Sequence, residues 1–495
     1  MIKSDDKQSP SNDGLENAGD CASDKDHESD NKKVQLKRSI SYFGAVAILL
    51  ANTGGTGVFI VPTTILKYAG SPLLSCVIWF LGGVIQATVA FSITELAVMF
   101  KKAGGPYFYF YRIFGELPAF VFMWGFIAFI AAPAWALGSY TTSLYLLTLI
   151  YGNCQMSEWL IKLVAAWIMT SLIAINCTYT KVTTSLQKGL TLTKVFAFAI
   201  IIVTGFIMLS TDSGQDHLQS FTKETTTDVG SIALALFAGF YGYGGWQIIT
   251  ILAEEVKTPE KVIPRALGST FIILTIANVS TNFAYLIVLY KHEAIESDAI
   301  AITFGRTIHP MVSIVLAILI VFCSIGSLNV GIMGQPRVMY AAGLNGHMPR
   351  MMTLLHTKFK TPWPATFFVF LLALITLSQG TVMTLVDRIS LFAGIMVFGM
   401  MTSVLVLRWR EPDIPRPLKV PIALPIFCLF LTFSLMVITI MKKPKELGTM
   451  ILILLGGIPA YFIFVKWKKT YRINTYIDNF TKYLQILLSL SYPES

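Results

Sequence analysis

Two stretches of this chain are apolar enough to cross a bilayer and yet are broken by glycine at mid-length. Ser231 to Glu255 carries Gly239, Gly242, Gly244 and Gly245, and Ser41 to Leu66 is interrupted by Asn52-Thr53-Gly54-Gly55-Thr56-Gly57. In hydrocarbon every backbone N–H and C=O must find a partner within the protein, so a helix weakened at mid-depth is tolerated only where it lines an internal cavity. The breaks therefore mark a binding site. Counted along the apolar runs they fall on the first and sixth spans. Glycine-broken spans in matching positions of two halves point to an inverted-repeat secondary transporter with its site near the midplane. Either cluster alone is a weaker sign, since glycines also serve close helix packing in membranes.

Hydrophobic residues make up 54% of the chain and charged residues 13%, against about 25% charged in soluble domains. That excludes a soluble globular protein. Runs of the length a span needs, about 20 residues, fall near 41–66, 73–100, 119–150, 158–178, 186–210, 229–254, 266–290, 310–340, 363–385, 386–407, 422–441 and 447–466, which predicts twelve spans. The formal charge of +10 sorts by side. With the N-terminus in the cytoplasm, most Lys and Arg, including Arg112, Lys257, Arg265, Arg408 and Arg416, fall on the inner face, so both termini are expected there. Basicity here reports topology, and no nucleic-acid partner is implied. Residues 1–38 read as a disordered cytoplasmic tail, 39–468 as the transporter domain, and 469–495 as a cytoplasmic tail. Two uses stay open for that last segment, an amphipathic helix on the inner leaflet or a solvated end.

Few charged residues lie inside the spans. Glu95, near the inner end of the second span, is expected to pair with an inner-face Arg or Lys. Lys194, about two turns into the fifth, either snorkels to the interface or braces the broken backbone of the first span through carbonyl partners. The eighth span carries Ser324, Gly326, Ser327, Asn329, Gly331 and Gly334, a small polar face suited to close packing or to a site wall. Cys154 alone of six cysteines falls in an outer loop, where either an intermolecular disulfide or a free thiol fits. The six histidines show no metal-ligand spacing, and no phosphate-binding loop is present, so neither a metal, a cofactor nor enzymatic chemistry is expected.

Several segments together resemble the light-chain subunits of heteromeric amino acid transporters, within the amino acid–polyamine–organocation superfamily. They are Gly55-Thr56-Gly57-Val58-Phe59 with Pro62, Glu95-Leu96 followed by Gly104-Gly105, Cys154, Ile175-Asn176-Cys177, Phe237 through Trp246 followed by Glu254-Glu255, Asn345-Gly346-His347-Met348-Pro349 and Arg416-Pro417-Leu418-Lys419-Val420. The resemblance implies an all-α, twelve-span LeuT-type fold with spans 1–5 and 6–10 as inverted repeats, and sodium-independent amino acid exchange at the plasma membrane. It implies that amides around Gly55, Thr56 and Gly57 hold the substrate carboxylate and that carbonyls near Thr53, Tyr241 and Gly244 take the ammonium. Tyr241 would stand as an aromatic gate, with Gly242 and Gln247 beside it. Lys194 would occupy the place of sodium in ion-coupled relatives, and Cys154 would join a single-span glycoprotein heavy chain. The chain departs from many relatives at Thr53-Gly54, at Thr56 and at Ile395-Met396, which bears on the side-chain pocket rather than on the clamp.

The physics of such a clamp agrees. An amino acid zwitterion needs an anion site and a cation site a few ångströms apart, and a helix start beside a helix end supplies both. The broken segments offer no Asp or Glu at the breaks for a cationic side chain, Glu254 and Glu255 lying at the cytoplasmic end of the sixth span, so a neutral substrate is expected, with Gly54, Gly242 and Gly331 making room and Tyr241 and Trp246 offering aromatic surface. That favours large apolar or aromatic amino acids. The alternatives carried forward are a proton-coupled symporter or uniporter, for which Lys194 is the deep titratable candidate, and a transport-inactive assembly subunit. A channel would need a continuous polar lining over several spans.

Overall fold

A computed structural model describes residues 40–492 apart from 101–103, 153–155, 179, 298, 360, 381, 443 and 467–470. The expected N-terminal tail and Cys154 lie outside the described residues. Within them the chain is almost wholly helical. Eight helices are long and apolar enough to cross a membrane: Pro72–Phe100, Glu116–Tyr151, Glu158–Thr178, Gly189–Met208, Pro259–Val288, Pro310–Leu344, Thr384–Arg410 and Gly448–Lys466. A ninth span is the pair Tyr42–Asn52 and Gly57–Ala69, bent by 48° at its break, and three shorter apolar helices are Val229–Gly242, Trp363–Gln379 and Ala423–Thr439. This is a multi-pass membrane protein. The outer faces agree with that solvent: Trp159, Leu163 and Trp167, one turn apart on Glu158–Thr178, are 68%, 67% and 69% exposed. An apolar stripe of that kind, turned outwards, belongs against lipid.

Local chemistry sets where the helices begin. Pro310 sits in the first turn of Pro310–Gly334, where its missing N–H is no loss, and the His309 ring accepts from the Met311 amide at 3.2 Å. Asp228 caps Val229–Gly242 by accepting from the Gly230 and Ser231 amides, and Lys442 closes on the same carboxylate at 3.0 Å. The second broken span resumes only briefly, as Ile248–Ile251 and a 3₁₀ turn over Ala253–Glu255. The far half is thus shorter than the intact apolar run suggests. Its inner end is tied to the start of the described chain, because Ile40 donates to the Glu255 carbonyl at 3.0 Å and its own carbonyl accepts from Lys257 at 2.9 Å.

Packing pairs helices that are distant in sequence. Pro72–Phe100 runs along Pro259–Val288, Ala132–Tyr151 along Pro310–Gly334, and Gly57–Ala69 along Val229–Gly242. At the C-terminal end, the helix Tyr471–Leu488 leads into a two-residue strand, where Ser491 and Leu490 pair antiparallel with Leu355 and His356.

Among the described residues a buried charge cluster lies where Pro72–Phe100 and Val382–Arg410 end. Glu95, 2% exposed, accepts from Arg408 Nε at 3.0 Å through Oε1 and from the Val420 amide at 3.1 Å through Oε2, while Arg416 Nε stands 3.5 Å from Oε1. This is the pairing expected for Glu95. It also explains the Arg-rich, proline-rich loop after Val382–Arg410, which folds back so that Arg416 donates to the Pro412 and Glu411 carbonyls. Removing one partner of a buried ion pair strands the other charge and costs about 3–5 kcal/mol. Glu95→Ala is therefore expected to lower the melting temperature of the detergent-purified protein sharply, and Glu95→Ala with Arg408→Leu to recover part of the loss. An unchanged melting temperature in the single variant would show that the cluster does not hold these helix ends together.

Candidate functional site

The two breaks are bonded to each other. The Gly54 N–H donates to the Gly244 carbonyl at 2.8 Å, and Asn52 Nδ2 donates to the Gly245 carbonyl at 2.7 Å. Backbone freed by breaking one helix is satisfied by backbone freed in the other, as hydrocarbon demands. Two glycines make the approach possible. Gly54 has φ +70°, and a Cβ there would lie 2.6 Å from the Gly242 carbonyl oxygen; Gly245 has φ +98°, and its Cβ would lie 2.5 Å from the Asn52 carbonyl oxygen. Both the left-handed conformation and the contact exclude a side chain.

Lys194 braces the first break from behind. It is 3% exposed, and its Nζ donates to the Thr53 carbonyl at 2.9 Å and the Leu50 carbonyl at 3.2 Å. The ring of Phe198 lies 5.9 Å from Nζ and stacks in turn on Phe59 at 6.1 Å. Of the two readings open in the sequence, snorkelling and bracing, the geometry is the second. Ser327 adds a neighbouring support, its hydroxyl donating to the Ala51 carbonyl at 3.0 Å.

Between the breaks and the helices Glu116–Tyr151, Pro310–Leu344 and Thr384–Arg410 lies a cavity of about 160 Å³. Gly55, Thr56, Tyr241, Gly244 and Gln247 line it, as does Gly54. Thr56 stands at the N-cap of Gly57–Ala69 without a side-chain cap bond, and the turn around it closes on itself: the Gly55 amide donates to the Asn52 carbonyl at 3.1 Å, the Gly57 amide to the Gly54 carbonyl at 2.5 Å and the Phe59 amide to the Thr56 carbonyl at 3.0 Å. Gln247 is partly committed, its Oε1 accepting from the Gly245 amide at 3.1 Å. Other expected site residues stand behind the wall. The Thr53 carbonyl is taken up by Lys194, and Gly57 meets Gly242 where the two segments cross, with a Gly57 Cβ falling 2.9 Å from the Gly242 Cα. Gly242 faces Trp79 rather than the cavity. Trp246 is fully buried and spends its indole N–H on Gln86 at 3.1 Å, so it contributes no surface to the site.

The rest of the wall was not legible in the broken segments. It includes Phe126, Ile130, Trp135, Gly138, Gln335, Ile389, Ser390 and Met396, together with Ser327 and Gly331, while Asn52 and Phe240 join it from the broken segments themselves. The small polar face of the eighth span signalled those last two, and that face divides its work: Gly326 packs on Leu190 and Gly334 on Ile248. Among the described residues no Asp, Glu, Lys or Arg lines the cavity. Among the described residues no cluster of His, Cys, Asp and Glu could hold a metal ion.

Residues 40–459 match the amino acid permease family model. The chain is 33% identical to the cystine/glutamate transporter of Homo sapiens over 464 residues, covering 93% of this chain and 92% of the relative. It is 31% identical over 470 residues to the large neutral amino acids transporter small subunit 2 of Rattus norvegicus, covering 93% and 87%. It is 30% identical over 473 residues to the b(0,+)-type amino acid transporter 1 of Mus musculus, covering 94% and 96%.

The contact between the breaks gives a direct test. Forcing alanine into a left-handed conformation costs about 1–2 kcal/mol, to which Gly245→Ala adds the collision with the Asn52 carbonyl at 2.5 Å. Gly239, in the same segment, has nothing within 4 Å of an added Cβ. Uptake of labelled amino acid, normalised to surface protein, should fall by about tenfold or more in Gly245→Ala and stay near wild type in Gly239→Ala. Equal effects would mean that the contact does not shape the site.

Proposed function

The chain belongs to the amino acid permease family, and from that premise we propose that it is a sodium-independent exchanger of neutral amino acids, taking large apolar or aromatic L-amino acids by preference. The observation that carries this reading is the cavity without a charged wall, set between two glycine breaks. A zwitterion can be held there by a helix start and neighbouring carbonyls, while its side chain meets Phe126, Ile130, Phe240, Tyr241, Ile389 and Met396. A charged side chain would be buried without a partner, at a cost of several kcal/mol, on the order of 3 or more. The relative named for cystine and glutamate therefore does not set the cargo here, whereas the relative named for large neutral amino acids agrees with this wall. Tyr241 closes over the substrate, and the Gly55 to Gly57 turn receives the carboxylate. Lys194 supplies the fixed positive charge that a bound sodium ion would otherwise give, which removes the need for ion coupling.

We read the three shorter apolar helices, together with the nine candidate spans, as the twelve of a LeuT-type transporter. The packing supports the repeat: the first span lies against the sixth, the second against the seventh and the third against the eighth, each pair five apart as an inverted five-helix repeat requires. In this reading the termini are cytoplasmic, the protein works at the plasma membrane, and Cys154 forms a disulfide with a single-span glycoprotein heavy chain.

A competition panel decides the substrate. Labelled leucine or tyrosine should be taken up at the same rate with sodium present or replaced, should speed up with a trans load, and should be inhibited by large neutral amino acids. Inhibition by lysine or glutamate as strong as that by leucine would overturn neutrality, and glycine or alanine outcompeting the aromatics would overturn the preference for size. The partner is read on non-reducing gels. In cells supplying a heavy chain the protein should run as a covalent heterodimer that Cys154→Ser converts to monomer, while non-covalent association survives; only monomer in the wild type would refute the link.

A further inference from the structure

The cavity wall holds polar atoms that nothing in the protein satisfies. Trp135 is fully buried and its indole N–H has no acceptor; Gln335 Oε1 has no donor; and Ser390, 4% exposed, has a hydroxyl without a partner. All three residues line the cavity, and they arrive from three different helices or helix ends. An unsatisfied buried polar group is rare in a folded protein and is held at a cost. Three around one small cavity call for a ligand that satisfies them.

Two of these groups flank a bare backbone position. A Cβ on Gly331 would lie 3.5 Å from Trp135 Nε1 and 3.8 Å from Gln335 Nε2, so both side-chain heads stand over the space that glycine leaves open. The indole N–H can only donate, whereas the amide can donate or accept according to which way it turns. A single substrate group placed there would accept from Trp135 and donate to Gln335 Oε1. An ammonium has nothing with which to accept from the Trp135 N–H, and a carboxylate, which can only accept, leaves Gln335 Oε1 unsatisfied and finds no cation among the described residues of the wall. A methyl or methylene leaves all three orphans as they are.

We propose that Trp135, Gly331 and Gln335 form a side-chain subsite for a neutral group that accepts and donates a hydrogen bond at once, a carboxamide or a hydroxyl. The proposal rests on the reading of the protein as a neutral amino acid exchanger and revises its side-chain preference: size still counts, but of two neutral side chains of similar size the one carrying a hydrogen-bonding group is favoured over the purely apolar one. A site built to hydrogen-bond its substrate discriminates more strongly against an analogue lacking the group than an apolar pocket does against one methylene.

The test uses the full chain, with its heavy chain where surface delivery requires one, and two matched pairs: glutamine against methionine and tyrosine against phenylalanine. Uptake efficiency is measured in cells, and thermal stabilisation by each amino acid on the purified protein. The polar member of at least one pair should be favoured by about tenfold, the worth of one good buried hydrogen bond, and the pair that shows it identifies carboxamide or hydroxyl. Trp135→Phe, which keeps an aromatic ring and removes the N–H, should bring that ratio towards one, as should Gln335→Met. Gly331→Ala, whose Cβ would make only ordinary contacts, should lower the ratio by filling the space. Equal treatment of both members in the wild type, or a preference that survives both Trp135→Phe and Gln335→Met, overturns the subsite while leaving the exchanger reading standing. Neither uptake nor stabilisation by any of the four overturns both.

Discussion

The hydrogen bond from the Gly54 amide to the Gly244 carbonyl, with its companion from Asn52 to Gly245, is the contact on which the site depends. A helix broken in hydrocarbon exposes amides and carbonyls that water cannot reach, and each such group left alone costs several kcal/mol. Bringing two breaks together lets each satisfy part of the other. It also fixes the distance between the segments, because the glycines allow backbone to touch backbone. The cavity is what remains beside that contact.

Lys194 belongs to the same solution. A lysine with 3% exposure inside a membrane protein is stable only with acceptors around it, and it takes them from Leu50 and Thr53, carbonyls at the end of Tyr42–Asn52. The negative end of that half-helix and the ammonium stabilise one another. Charge is thus spent on holding the backbone rather than displayed to the cavity. Glu95 follows the same economy near the end of its helix, where Arg408, Arg416 and the Val420 amide surround it. The charged groups of the interior act as fasteners, and the space between the breaks is left to uncharged polar atoms and apolar side chains.

Much of this was legible in the order of residues. The multi-pass, helical character of the chain, the two glycine breaks, the pairing of Glu95 with arginines and the place of Lys194 beside the first break all follow from what a bilayer forbids. Hydrocarbon imposes the same requirement on every segment, whatever its neighbours, so a departure from uniform helix or from apolarity is visible locally.

The identity of the cavity wall was decided only by the tertiary structure. Trp246 reads as a site aromatic beside the glycines and is instead buried against Gln86, while Trp135, in an unremarked run of alanines, faces the cavity. Gly242 and Gly57 are spent on the crossing of the segments, and Gln335 and Ser390 come to the wall from helices far along the chain. Which face of a helix meets the cavity depends on its rotation about its own axis. That rotation is set by packing against partners hundreds of residues away, whose side chains, unlike the polarity of the bilayer, are not written in the segment itself.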